Sequence, residues 1–306
     1  MPIPGGTQVW ERDGILYDNS GPNGAPNPIG FADSEVVDDY TETPELPPWR
    51  SRHFYTIEQL GDPQPIEWLI DGWVPAGELS MIYGPGDSYK SFLALHWGLT
   101  AAADGYRVVY IAGEGAHGLR TRIPAWLLHR QAKAAEFPGF RIDEMPVSLD
   151  SEPERDRWRA EVEDALGDMP DWVIVDTLSM NFSGDENLPA DMNRLVKGLE
   201  LIRRSRSSRT AMTIIHHTPV GSELRERGTA ALRNATSATI RLTARSPKGF
   251  SVLVENDRQK EWDKHEPMRM TLRRIEWGQV SSLAVDEFKP AHDEVNARDS
   301  KRKKKN

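Results

Sequence analysis

The sequence contains no cysteine. That excludes a disulfide framework, a cysteine nucleophile and a thiolate metal site, and it accords with a reducing, cytoplasmic setting. No apolar run approaches the roughly 20 residues that cross a bilayer. The opening Met1-Pro-Ile-Pro-Gly-Gly has neither the basic nor the apolar region of a secretory signal, so neither a membrane nor export is expected. Apolar residues are scarce, at 38% of 306 residues, and the mean hydropathy is −0.59. That pattern arises when a polar segment dilutes an ordinary core. Basic charge is in deficit too: 38 Lys and Arg stand against 47 Asp and Glu, a net −9. A uniformly basic nucleic-acid protein is excluded, but a local basic track is not. There is no internal repeat and no heptad run.

What is present is unevenly placed. Residues 1–50 carry nine acids, two bases and eight prolines, a net of 2 − 9 = −7. Such a stretch buries too little apolar area to offset its ordering entropy. Residues 1–60 are therefore expected to be largely disordered, 61–288 to form the folded domain and 289–306 a basic tail. The tail ends in Lys301-Arg-Lys-Lys-Lys-Asn306, read as a solvated terminus or a nonspecific phosphate contact. Between the tails, strand-like and helix-like segments alternate. Strands are expected at Glu78–Tyr83, Arg107–Ala112, Trp172–Val175 and Ala211–Ile215. Helices are expected at Lys90–Ala103, Leu119–Ala135, Glu154–Leu166 and Asp191–Arg204. Then Ala238–Thr243, Phe250–Glu255 and Met268–Ile275 are strand-like with no long helix between them. The expected fold is α/β: a mostly parallel sheet with right-handed crossovers, extended antiparallel by the last strands.

Gly84-Pro-Gly-Asp-Ser-Tyr-Lys-Ser91 lies after a predicted strand and opens a predicted helix, the context a phosphate-binding loop requires. Backbone N–H groups of Gly84, Pro85's successor Gly86, Asp87, Ser88 and Tyr89, together with the helix N-terminus, would face phosphate oxygens. Lys90 would reach the β- and γ-phosphates of ATP, and Ser91 would offer its hydroxyl to Mg²⁺. Tyr89 stands where the pattern has its second glycine, so a positive φ there would be costly. Asp171-Trp-Val-Ile-Val-Asp-Thr177 is a buried strand ending in Asp176, placed to hold the water shell of Mg²⁺. Glu114, in Ile111-Ala-Gly-Glu-Gly115, falls at the C-terminal end of another strand, the edge where ligands bind. It is the candidate general base; the other reading is a surface turn glutamate. His216-His217-Thr218 ends a strand on the same edge. Adjacent histidines on a strand face opposite sides, which disfavours chelation of one ion.

Taken in order, these residues resemble the RecA-like hexameric helicase superfamily, and within it the RepA/DnaB-type ATPase group of plasmids and phages. The resemblance runs from about Ile66 to Trp277. It rests on Tyr83–Leu95, Ala112–Gly115, Val173–Thr177, Gly184-Asp-Glu-Asn187, Ile215–Thr218 and Arg227-Gly-Thr-Ala-Ala-Leu-Arg233. It implies a RecA-like P-loop NTPase core with helices on both faces of the sheet. Glu114 would be the catalytic glutamate and His217 the phosphate sensor. The loops around Asn181–Ala190 and Pro219–Thr229 would face a DNA channel, with Arg225 and Arg227 as DNA contacts. An arginine from a neighbouring subunit would complete the site, with Arg258 favoured over Arg227 and Arg233. The implied partners are single-stranded DNA and further copies of the chain, in a hexameric ring. Two departures stand: Tyr89, and no visible N-terminal helical primase-binding domain. Three functions remain open: an ATP-driven motor on single-stranded DNA in replication or recombination, a filament or strand-annealing factor using ATP as a switch, and a nonmotor ATP-binding assembly module.

Overall fold

The computed structural model describes residues 9–12, 15–18, 27–31, 56–59, 61, 65–204, 210–218, 230–246, 250–260 and 262–291. The chain divides into two units, Met1–Pro47 and Pro48–Asn306, whereas the sequence expectation put the boundary after residue 60. In the first unit, β1 (Val9–Arg12), β2 (Ile15–Asp18) and β3 (Asn27–Phe31) form a three-stranded antiparallel sheet in that order. These strands fall within the stretch expected to be largely disordered. Acid and proline content summed over fifty residues conceals short β-favouring runs such as Ile-Leu-Tyr.

The second unit continues with β4 (Trp68–Ile70), β5 (Val74–Pro75), β6 (Leu79–Gly84), α1 (Lys90–Ala103), β7 (Val108–Ala112), α2 (Ala116–Arg130), β8 (Phe140–Asp143), α3 (Glu152–Leu166), β9 (Trp172–Asp176), α4 (Pro189–Arg203), β10 (Ala211–His217), α5 (Ala231–Ala235), β11 (Ala238–Ser246), β12 (Ser251–Gln259), β13 (Met268–Trp277) and β14 (Val280–Pro290). A nine-stranded sheet runs in the order β14-β13-β12-β11-β6-β10-β9-β7-β8. From β11 to β8 the pairs are parallel, and from β11 to β14 they are antiparallel. This is the fold class expected from the sequence. The sheet reaches Pro290, two residues beyond the expected 288. Among the described residues no helix is long and apolar enough to cross a membrane.

The central strands are buried and mostly apolar because both faces are covered. Side chains alternate across the sheet. Trp172 and Ile174 of β9 pack in one core with Leu93 and Trp97 of α1. Val173 and Val175 pack in a second core with Leu195 and Leu199 of α4. Gly98 lets α1 settle onto β9, since a Cβ there would come 2.9 Å from Ile174 Cδ1.

Several boundaries differ from expectation. The helix expected over Leu119–Ala135 runs Ala116–Arg130 and stops where Gln131 turns left-handed (φ 54°); a 3₁₀ turn, Ala134–Glu136, follows. The short strands β4, β5 and β8, the helix α5 and the long β14 carry no clear periodicity in sequence.

Candidate nucleotide site

The parallel strands deliver their C-terminal ends to one edge. The strand order reverses at β6, whose neighbours β10 and β11 both come later in the chain, and such a switch point opens a crevice. Gly84 stands level with His217, and Ala112 with Asp176. Gly84 is required by crowding: a Cβ would fall 2.5 Å from Leu242 O and 3.0 Å from Ser88 Oγ. The loop then turns through two non-glycine residues of positive φ, Asp87 at 57° and Tyr89 at 64°. Tyr89 caps α1 without a side-chain hydrogen bond. Its ring meets Phe92 edge-on, with centroids 5.9 Å apart.

Lys90 is buried. Its ammonium donates to Pro85 O at 2.7 Å, Gly84 O at 3.1 Å and Ser88 Oγ at 3.3 Å, and lies 3.4 Å from His217 Nδ1. Burial lowers its pKa to about 8, against the pull of the Asp176, Glu114 and Asp87 carboxylates. Asp176 is 2% exposed. Its Oδ2 accepts from the Tyr110 hydroxyl at 2.5 Å, while its Oδ1 is buried without a hydrogen-bond partner. Desolvation raises its pKa, opposed by the Tyr110 and Ser91 hydroxyls and by Arg122. A buried, half-satisfied carboxylate beside a serine hydroxyl fits a hard cation with oxygen ligands, so these residues suit Mg²⁺.

Glu114 is fixed at two points. Its N–H donates to Asp176 O at 3.1 Å, and its Oε2 accepts from Thr177 Oγ1 at 3.2 Å. His217 Nε2 lies 3.9 Å from the same oxygen. The peptide bond between Asp176 and Thr177 is cis. His216 is buried at 2% exposure, whereas His217 opens into the cleft. Asp87 to Ser91, Glu114, Asp176 and His217 thus line one cleft of about 460 Å³.

Arg258 is not in the cleft of its own chain. It stands opposite Thr239, level with Met81 in β6, toward the far edge of the sheet. Its guanidinium donates to Arg233 O at 2.7 Å, and Arg233 pairs with Asp257 at 2.5 Å. Arg225 and Arg227 lie outside the described residues. Sequence reasoning missed four residues of the site: Tyr110, Phe92, Arg122 and Thr177. Arg122 stacks 4.6 Å over the Phe92 ring. Only its place two turns along the helix after Glu114 could have drawn notice. Thr177 could have been noticed as the neighbour of Asp176.

With this geometry in view, comparisons with known proteins add two findings. A family model described as AAA domain matches residues 43–223, more than half of the chain. Among solved structures, the crystal structure of the RadB recombinase matches with a TM-score of 0.47 and 20% identity, over 66% of this chain and 89% of that one. No curated protein matches the sequence.

Proposed function

The chain belongs to the AAA domain family, and on that premise we propose that it is an ATP-hydrolysing, RecA-like motor acting on single-stranded DNA. The observation that carries this reading is the meeting of Lys90, Glu114, Asp176 and His217 in one cleft at the strand ends. When nucleotide binds, the Lys90 ammonium exchanges its carbonyl partners for β- and γ-phosphate oxygens. Loop N–H groups and the N-terminus of α1 take up further phosphate charge. Ser91 and Asp176 would hold Mg²⁺, which when bound would supply charge neutralisation of the phosphate oxygens. Glu114 accepts the proton of the attacking water. His217, between Glu114 and Lys90, senses whether the γ-phosphate is present.

The motor reading further places Arg258 in a neighbouring subunit's site, within a hexameric ring, and Arg225 and Arg227 on DNA. Supplying an arginine in trans contributes roughly 10³–10⁵ in rate in GTPases. Steady-state turnover with and without single-stranded DNA tests the proposal. Lys90→Ala is expected to abolish hydrolysis, and Glu114→Gln to retain ATP while losing turnover; normal hydrolysis by either overturns the reading. Mixed Lys90→Ala and Arg258→Ala chains are expected to recover activity, because some interfaces then pair an intact loop with an intact arginine. No recovery, with full activity at high dilution, leaves a nonmotor module. DNA affinity is expected to fall with salt by a slope of about −0.7 per phosphate contact.

A further inference from the structure

The turn that carries Glu114 does little to hold its side chain. Glu114 lies between Gly113 and Gly115, and its side chain is 59% exposed. A carboxylate on so permissive a turn samples many orientations, and a general base is effective only within hydrogen-bond reach of its proton. The fixing contact comes from the residue that follows β9. Thr177, 4% exposed, has a single hydroxyl proton, and that proton goes to Glu114 Oε2 at 3.2 Å. Ser179 Oγ lies 3.0 Å from the same threonine oxygen. With the threonine proton committed, Ser179 is the donor in that second bond, so a directed row runs Ser179 to Thr177 to Glu114.

The row stands on a rigid base. Asn181 is fully buried; its Nδ2 donates to Thr177 O at 2.9 Å, and its Oδ1 accepts from Val147 N at 2.8 Å. Gly113 allows the turn after β7 to close on this base. A Cβ there would come 2.6 Å from Asn181 Nδ2 and 2.8 Å from Met180 Cβ.

We infer that Thr177 is a positioning residue for hydrolysis: its hydroxyl occupies Glu114 Oε2 and so turns Oε1 toward the attacking water. The inference rests on the ATP-hydrolysis reading above. Thr177→Val keeps the shape and removes the donor. It is expected to lower kcat about ten- to hundredfold, with KM and ATP affinity within about twofold of wild type. Thr177→Ser restores the hydroxyl and most of the turnover. Ser179→Ala, one step further back, is expected to lower kcat less than Thr177→Val. If the valine variant does not fold, Thr177→Ala is read by the same criteria. Wild-type turnover by the valine or alanine variant, in a preparation where wild type is active, overturns this assignment alone. So does a serine variant as impaired as the valine one, since the role would then be packing. No turnover by wild type overturns the function reading, and this assignment with it.

Discussion

Tyr89 is the residue at which the phosphate loop departs most from its usual form. Its φ of 64° places a Cβ close to the following carbonyl, at a cost of roughly 1–2 kcal/mol. The ring recovers part of that by packing on Phe92 and the core beneath. Tyr89→Gly relieves the strain and loses the packing, so its stability is expected to stay within about 1 kcal/mol of wild type. Tyr89→Val keeps the strain, adds a branched Cβ and loses the ring. It is expected to destabilise by about 1–2 kcal/mol, or several degrees in Tm. Equal melting of the two variants would remove the strain argument. Most of the candidate site was legible residue by residue, because Asp176 and His217 end strands, Glu114 follows two residues after another, and the loop has its own spacing. Tyr110, Arg122 and Thr177 were not, since their roles depend on which neighbouring element each side chain meets. The left-handed turn at Tyr89 was legible only as a cost; the loop adopts it nonetheless.

Among the elements, those with unbroken periodicity were read closely: α1 spans Lys90–Ala103, as its apolar pattern predicts. The elements missed were short or lay at the sheet's edges. β8 is four residues of mixed burial, and β14 mixes serine and acidic residues with valine and alanine, so neither carries a clean alternation. The contact between α1 and α2 yields a pH test. His96 of α1 accepts at Nδ1 from Trp126 Nε1 of α2 at 3.0 Å. Burial, then Arg130 and His129, lower its pKa from 6.5 to about 3. The unfolded chain takes up this proton below about pH 6.5, whereas the folded chain resists until about pH 3. The stability contributed by neutral His96 is therefore complete above pH 6.5 and is lost as pH falls through that window, by up to about 1.4 kcal/mol per pH unit. His96→Gln can still accept from Trp126 but cannot titrate. Between pH 6.5 and 5, above the carboxylate range, its urea midpoint is expected to fall less steeply than that of wild type. Parallel slopes would contradict the assignment.

At the scale of the molecule, the order β11-β6-β10 governs more than the position of the cleft. The phosphate loop hangs from β6, and both hydrogen-bonded neighbours of β6 lie far downstream, at Ala211–His217 and Ala238–Ser246. A ribosome that has reached Arg204 has already made the loop, Glu114 and Asp176, yet β6 has no partner on either side. Parallel pairing cannot be replaced by a local hairpin, because the ends must be brought together across a long crossover. A fragment ending at Arg204 is therefore expected to bind no nucleotide in a calorimeter and to be digested rapidly by protease. A chain ending at Ala291 should do neither. Binding by the shorter fragment would mean that the loop assembles without its sheet. On the proposed reading, a chain completes its nucleotide site only once β11 has emerged, so nucleotide is expected to stabilise the finished domain rather than guide the nascent polypeptide.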